Sequence, residues 1–194
     1  LNLESPRKVT ALGGRYVIKD NREIPDTMEA LWEYDGPTMI GFMQVNGNGS
    51  GGNLRGSEME LRGTKGTMFI SPNGWEVVPE RINEEARGVN NPIDRTVQRR
   101  RSARKTVIEP KAVKGSVWAD APHARNFLDC VKSRRDPYFP AEVGHRCCSV
   151  AHLGNIAIDL GRKLRWDPVA EEFPGDDEAN RQRIRAARQP WDLV

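Results

Sequence analysis

The sequence predicts an α+β fold: a large, mostly antiparallel open β-sheet with helices packed on one face. Three observations predict it. Apolar and polar residues alternate with the period of two that marks a half-buried strand, most clearly over residues 28–34. After residue 120 the apolar spacing changes to three and four, which is helical. Strands come first, helices follow, and no internal repeat is visible, an order that suits an antiparallel-rich sheet covered on one side.

The elements follow in chain order. "RKVTALGGRYVI" reads as a strand in which Gly13 and Gly14 mark a bulge or a close backbone approach. Met28, Ala30, Trp32 and Tyr34 alternate with Glu29, Leu31 and Glu33. Asp35, Gly36 and Pro37 then form a turn into "TMIGFMQV", so residues 28–45 predict a hairpin. "EMELRGTKGTMFISP" predicts a second hairpin bending at Gly63 to Gly66, and "WEVVP" a further strand. Residues 80–116 read as irregular, rich in Arg, Asn and Pro.

Ala124, Phe127, Leu128 and Val131 then mark a helix with Asp120 as its N-cap and Pro137 beyond its end. A longer helix is expected from about Ala141 to Leu164. "GDDEANRQRIRAARQP" predicts a short last helix with acids first and bases last, matching the macrodipole. One domain over residues 1–194 is expected, strand-rich over 7–116 and helix-rich over 120–190.

The chain has 194 residues, 37% hydrophobic and 29% charged, with a mean hydropathy of −0.67. That composition predicts a soluble globular protein. No stretch approaches the roughly 18 consecutive apolar residues of a membrane span. A net charge of +3 is too small to argue for nucleic acid. Three cysteines, two of them adjacent, make no disulfide framework and favour a reducing, cytoplasmic setting. The chain opens at Leu1 without a methionine or a visible signal peptide, which leaves periplasmic export open.

Several motifs invite functional readings and fail physical tests. "GNGSGG" over Gly47 to Gly52 fits the spacing of a dinucleotide fingerprint, but such a site needs a helix opening at the motif to hold the pyrophosphate. Here loop and strand residues follow. The basic run Arg99, Arg100, Arg101, Arg104 and Lys105 has no interleaved aromatics and reads as a solvated loop.

"GHRCCSVAHLGN", residues 144–155, holds two of the three histidines and two of the three cysteines. Cys148 and His152 stand four residues apart and can touch, yet their surroundings resemble no nucleophile site. His145 and His152 lie about 10 Å apart along a helix axis, too far to share one tetrahedral ion. A metal would need Cys148 and His152 joined by His123 or Cys130 from the other helix.

On a helical wheel, the apolar residues between Val143 and Leu164 cover about 220° of arc, which predicts burial on most sides. Gly154 and Gly161, one heptad apart, predict close approach of another backbone, and Cys147 reads as packing. The remaining stripe of His145, Cys148, His152, Asn155, Asp159 and Arg162 lacks the Lys and Glu of an ordinary solvent face. It suits a hydrogen-bonded interface or a cleft wall.

With these residues read, the chain resembles the C-terminal domain of the Gfo/Idh/MocA oxidoreductase family, in a planctomycete-like bacterial branch. The segments that carry the resemblance are "SPRKVTALGGRYVIKDNREIPDT", "ELRGTKGTMFISPNGWEVVP", "HARNFLDCVKSRRDP", "GHRCCSVAHLGNIAIDLGRKLRWDP" and "RQPWDLV". The resemblance implies a domain like the C-terminal fold of glyceraldehyde-3-phosphate dehydrogenase, whose open sheet shapes a substrate pocket and pairs subunits face to face. It also implies an N-terminal Rossmann domain that binds NAD(P), and hydride transfer at a sugar, polyol or related carbon. In the family, a Lys in a Glu-Lys-Pro motif and a downstream Asp and His assist proton transfer.

This sequence has no Glu-Lys-Pro and no Rossmann fingerprint. The expectation is therefore a substrate-binding and oligomerisation half, with no catalytic, cofactor-binding or metal residues of its own and NAD(P) implied for the full-length protein. Its partners would be the Rossmann domain, a second copy through the sheet face, and a sugar-like substrate; neither nucleic acid nor membrane is expected. His145, Arg146, His152 and Asn155 are the substrate-cleft candidates. The competing reading is a stand-alone, non-catalytic dimerisation or carbohydrate-binding module. Substrate identity, NAD against NADP, and oxidoreduction against NAD-dependent glycoside cleavage stay open at this level.

Overall fold

The computed structural model describes residues 4–49, 57–83, 104–106, 108–115 and 120–184, with 81–83 and 104–105 as backbone alone. The chain divides into two compact units, Leu1–Gly49 with Asp129–Val194, and Ser50–Leu128. The first unit is built on a four-stranded antiparallel sheet ordered β10-β1-β2-β3, formed by Lys8–Gly14 (β1), Thr27–Glu33 (β2), Met39–Val45 (β3) and Leu164–Arg165 (β10). The expected hairpin is present, with Trp32 opposite Ile40 and Ala30 opposite Phe42. Gly13 sits opposite Met28, where an added Cβ would stand 2.7 Å from the Met28 Cβ, so the predicted close approach holds.

The alternation of β2 does what its period requires. Ala30, Trp32 and Tyr34 are buried with Val9 and Ala11 of β1, against Leu153, Ile156 and Ala157 of a long helix, Ala141–Leu160 (α2). Leu164, Trp166, Phe173 and Ala179 complete the core. Phe173 lies edge-on to Trp166 with centroids 5.0 Å apart. Its backbone is clasped by Asn180, which accepts from the Phe173 N–H at 2.9 Å and donates to its carbonyl at 2.8 Å. The side-chain amide thereby stands in for a missing strand partner.

Four expectations for the long helix are corrected. It ends at Leu160, not Leu164, because Gly161 takes the left-handed conformation (φ 64°) that terminates helices and frees Leu164 to pair with Val9. It is buried along one side of its C-terminal half only, since Leu153, Gly154, Ile156 and Ala157 alone are fully covered; Val143, Cys147 and Ala151 are exposed. Cys147 is thus a surface thiol, not packing. Gly154 admits a side chain and no backbone: an added Cβ would stand 3.0 Å from Trp32 Cζ2, while Gly161 has nothing within 4 Å.

A short helix, Asp177–Arg181 (α3), follows, shorter than its acids-then-bases pattern suggested over the described residues. Asp176 caps it, accepting from the Ala179 N–H at 3.1 Å, and receives both guanidinium nitrogens of Arg162 at 2.5 and 2.8 Å. Arg162, and after it the Ala179 N–H, hold the Asp176 carboxyl down to about 2. An unfolded Asp titrates near 3.9, so the stability this clamp contributes is complete above about pH 4 and is lost as pH falls from there toward 2. Asp176→Asn is expected to flatten that part of the acid-unfolding curve, read by circular dichroism; an unchanged curve between pH 4 and 2 would count against the clamp.

The second unit holds a four-stranded antiparallel sheet ordered β4-β5-β6-β9, made of Met59–Arg62 (β4), Gly66–Ser71 (β5), Gly74–Pro79 (β6) and Lys111–Lys114 (β9). The predicted bend closes by the Gly63 N–H donating to the Gly66 carbonyl at 2.9 Å. Two short strands, Arg81–Asn83 (β7) and Arg104–Thr106 (β8), pair with each other. Together with β9 they give structure to a stretch expected to be irregular. A helix, Asp120–Ser133 (α1), includes Asp120 as its first residue and buries no side chain among the described residues; Phe127, Leu128 and Val131 are all exposed. The described strands thus pair antiparallel, as expected, in two four-stranded ladders and one two-stranded pair where one large sheet was expected. Residues 50–56, including part of "GNGSGG", and Arg99, Arg100 and Arg101 of the basic run lie outside the described residues.

Candidate functional site

The outward side of α2 carries the predicted stripe. Its inner side is fixed by Leu153, Ile156 and Ala157, so the rotation of the helix is set and His145, Cys148, His152, Asn155 and Asp159 are left exposed. A hydrophobic anchor on one face thereby decides which polar groups solvent meets on the other.

The stripe is not one constellation. His145 Nε2 lies 2.7 Å from Glu171 Oε1, which ties the first half of α2 to the turn after β10. Glu171 holds that position with a positive φ of 51°, and Arg183 donates to its carbonyl. Arg146 turns back along its own helix and donates to Glu142 Oε1 at 2.7 Å. His152 and Asn155 make no side-chain hydrogen bond or ion pair among the described residues. Three residues apart, they are neighbours on the helix surface and together offer donors and acceptors to a ligand. The structure therefore separates the four candidates into two engaged residues, His145 and Arg146, and two available ones, His152 and Asn155.

His123 is exposed on α1, and Cys130 is half-buried with its thiol 3.4 Å from the Asp136 carbonyl. Among the described residues no three His, Cys, Asp or Glu side chains gather as metal ligands.

Two features went unread in the sequence. Asp26 is fully buried, yet its carboxylate accepts backbone N–H groups of Tyr16, Val17 and Ile18 at 3.1, 2.9 and 2.7 Å and the Thr27 hydroxyl at 3.0 Å. It ties the β1–β2 connection to the sheet. The Ile18 N–H, more than the other donors, holds its carboxyl far below the usual range. Glu171 is the second; its only sequence signal was an acid beyond the helix, which spacing along a wheel does not register.

The fold defines a class: a mixed α/β domain built on antiparallel sheets. The structure described as oxidoreductase yvaA from Bacillus subtilis superposes with a TM-score of 0.53 at 13% identity, over 84% of this chain and 47% of that one. Residues 105–193 match the Gfo/Idh/MocA family model described as "Oxidoreductase family, C-terminal alpha/beta domain". An aldose-aldose oxidoreductase from Caulobacter crescentus, solved with glycerol, is a further structural neighbour, with TM-score 0.46 and 11% identity over 84% of this chain and 42% of its own. The chain thus spans less than half the length of these solved relatives. Among curated proteins, none matches. All four candidate residues fall inside the matched segment.

Proposed function

We propose that this chain is the substrate-binding and subunit-pairing part of an NAD(P)-dependent oxidoreductase acting on a sugar, polyol or related compound. The observation that carries the reading is the family match over residues 105–193, which contains the whole of α2 and its polar stripe. His152 and Asn155 suit a hydroxyl-rich substrate, because between them they can both donate and accept. His145 and Arg146, engaged by Glu171 and Glu142, shape the wall beside them. The outer face of the first sheet, with exposed Leu12, Leu31, Met39, Met43 and Val45, supports pairing with a second copy.

A nicotinamide cofactor supplies the hydride in such chemistry. The described residues do not fit its pyrophosphate: Gly47 and Gly49 follow β3, and the next described element is the strand β4, not a helix whose N-terminus could hold it. The reading therefore assigns the cofactor to a dinucleotide-binding domain working beside this one, and the positioning of substrate carbon against nicotinamide to the cleft between them. No helix among the described residues is long and apolar enough to cross a membrane.

The test is turnover by the full gene product with NAD⁺ and NADP⁺ across a panel of aldoses and polyols. His152→Ala and Asn155→Ala are each expected to raise KM about tenfold, the loss of about 1.4 kcal/mol of substrate binding. A stable dimer that binds sugars without cofactor and turns over none of them would support the non-catalytic module instead.

A further inference from the structure

Among the described residues the two four-stranded ladders end in four edge strands, β10, β3, β4 and β9. An edge strand presents a row of unpaired N–H and C=O groups that templates pairing with another chain, and proteins blunt it by shortness, charge, proline or a bulge. Three of the four edges are blunted. β10 is two residues long and carries Arg165, β4 carries Glu60 and Arg62 in four residues, and β9 carries Lys111 and Lys114 in four. The seven residues of β3, "MIGFMQV", hold no charge and no proline.

β3 pairs with β2 in unbroken register from Met39 to Val45, so no bulge turns its edge away. Among the described residues, the backbone from Met39 to Gln44 hydrogen-bonds to nothing but β2. Both faces of the strand are open as well. Met39, Met43 and Val45 are exposed on the outer face. On the inner face, Gly154 of α2 stands over Trp32 and Ala30 of β2, while Ile40 and Phe42 opposite them keep 37% and 47% of their surface.

We infer that β3 pairs antiparallel with the β3 of a second copy, extending the first sheet across a twofold axis perpendicular to it. Opposed residues of an antiparallel pair point to the same face, and overlap of all seven residues centres the register on Phe42. Met39 then faces the partner's Val45, Ile40 the partner's Gln44, and Gly41 the partner's Met43. Phe42 meets its own counterpart, an aromatic cross-strand pair, and no like charges are opposed because the strand has none. The pairing is isologous and uses up the β3 edge of both copies, so it closes at two and does not run on into a filament. It is independent of the outer-face pairing proposed above, since it joins backbone groups in the plane of the sheet.

Disulfide capture tests the register, in the full chain carrying Cys130→Ser, Cys147→Ser and Cys148→Ser. Phe42→Cys in that background brings two Cα atoms to about 4.5–5.5 Å, within disulfide reach, and mild oxidation is expected to give a cross-linked dimer on a non-reducing gel. Met39→Cys leaves the two thiols six positions out of register, about 20 Å apart, and is expected to cross-link less than about a tenth as much. Phe42→Lys opposes like charges at the axis and is expected to halve the mass read by sedimentation equilibrium. Phe42 lies outside the buried core, so the circular dichroism of that variant is expected to be unchanged. Leu12→Lys charges the outer face and is expected to leave the Phe42→Cys cross-link intact, so a failure of outer-face pairing reads separately from a failure at the edge. Equal cross-linking of the two cysteine variants, none in either, or an unchanged mass in Phe42→Lys would each overturn the inference.

Discussion

Phe173→Ala is expected to cost about 3–5 kcal/mol of stability, the range for emptying a large, closed core site. Phe173 is 0% exposed, packs edge-on against Trp166, and has its backbone fixed on both sides by Asn180. The surroundings are held by the β10–β1 pairing and by the Arg162–Asp176 clamp, so they collapse poorly into the space a benzyl group leaves. Val169→Ala on the same turn is the control: that side chain is 88% exposed, and a change within about 0.5 kcal/mol is expected. Urea unfolding of both variants provides the measurement. A Phe173→Ala loss below about 1 kcal/mol would show that this site is not a structural keystone of the unit.

The second large effect is expected at Asp26. Asp26→Asn keeps the shape but turns an all-acceptor carboxylate into a group that also donates, facing three backbone N–H groups. At least one of those donors then loses its partner inside the protein, and the melting temperature is expected to drop on the order of 5–10 °C. The pH dependence has a definite sign. The folded-state pKa lies far below the unfolded value of about 3.9, so the stability from this carboxylate is complete above about pH 4 and declines as pH falls below it. The asparagine variant should lose that component, so the gap between wild type and Asp26→Asn should narrow on acidification. A constant gap from pH 7 to pH 3 would refute the role given to the charge.

The parts of this fold that the sequence made readable are those set by local period and by turn chemistry. Met28 to Tyr34 alternates, and the structure buries Ala30, Trp32 and Tyr34 on one side, because a strand has no other way to place successive side chains. The Gly63–Gly66 bend and the close approach at Gly13 were legible for the same reason: only a few residue types satisfy those backbones. The stop at Gly161 was equally local, yet the apolar pattern running on to Leu164 masked it. Leu164 is apolar because it pairs and packs in β10, and hydrophobicity does not state which element it serves.

The candidate site divides in the same way. That His145, Cys148, His152 and Asn155 share one helical face follows from 3.6 residues per turn. Which of them is available to a ligand depends on Glu171 and Glu142, and Glu171 reaches His145 only through a turn 26 residues further along the chain. The burial of α2 on one side, and not on most sides, depends on how much sheet lies beneath it.

By itself, then, the sequence determined the α+β class, the order and period of the elements, and a resemblance that residues 105–193 bear out. Tertiary structure alone decided that Asp26 is the buried tie of the β1–β2 connection, and that among the described residues His152 and Asn155 make no side-chain hydrogen bond where His145 and Arg146 are engaged. The physical reason is range. Side-chain period and turn preference act over a few residues and are written in them, whereas hydrogen-bond partners and charge neighbours are set by strand register between segments far apart in the chain.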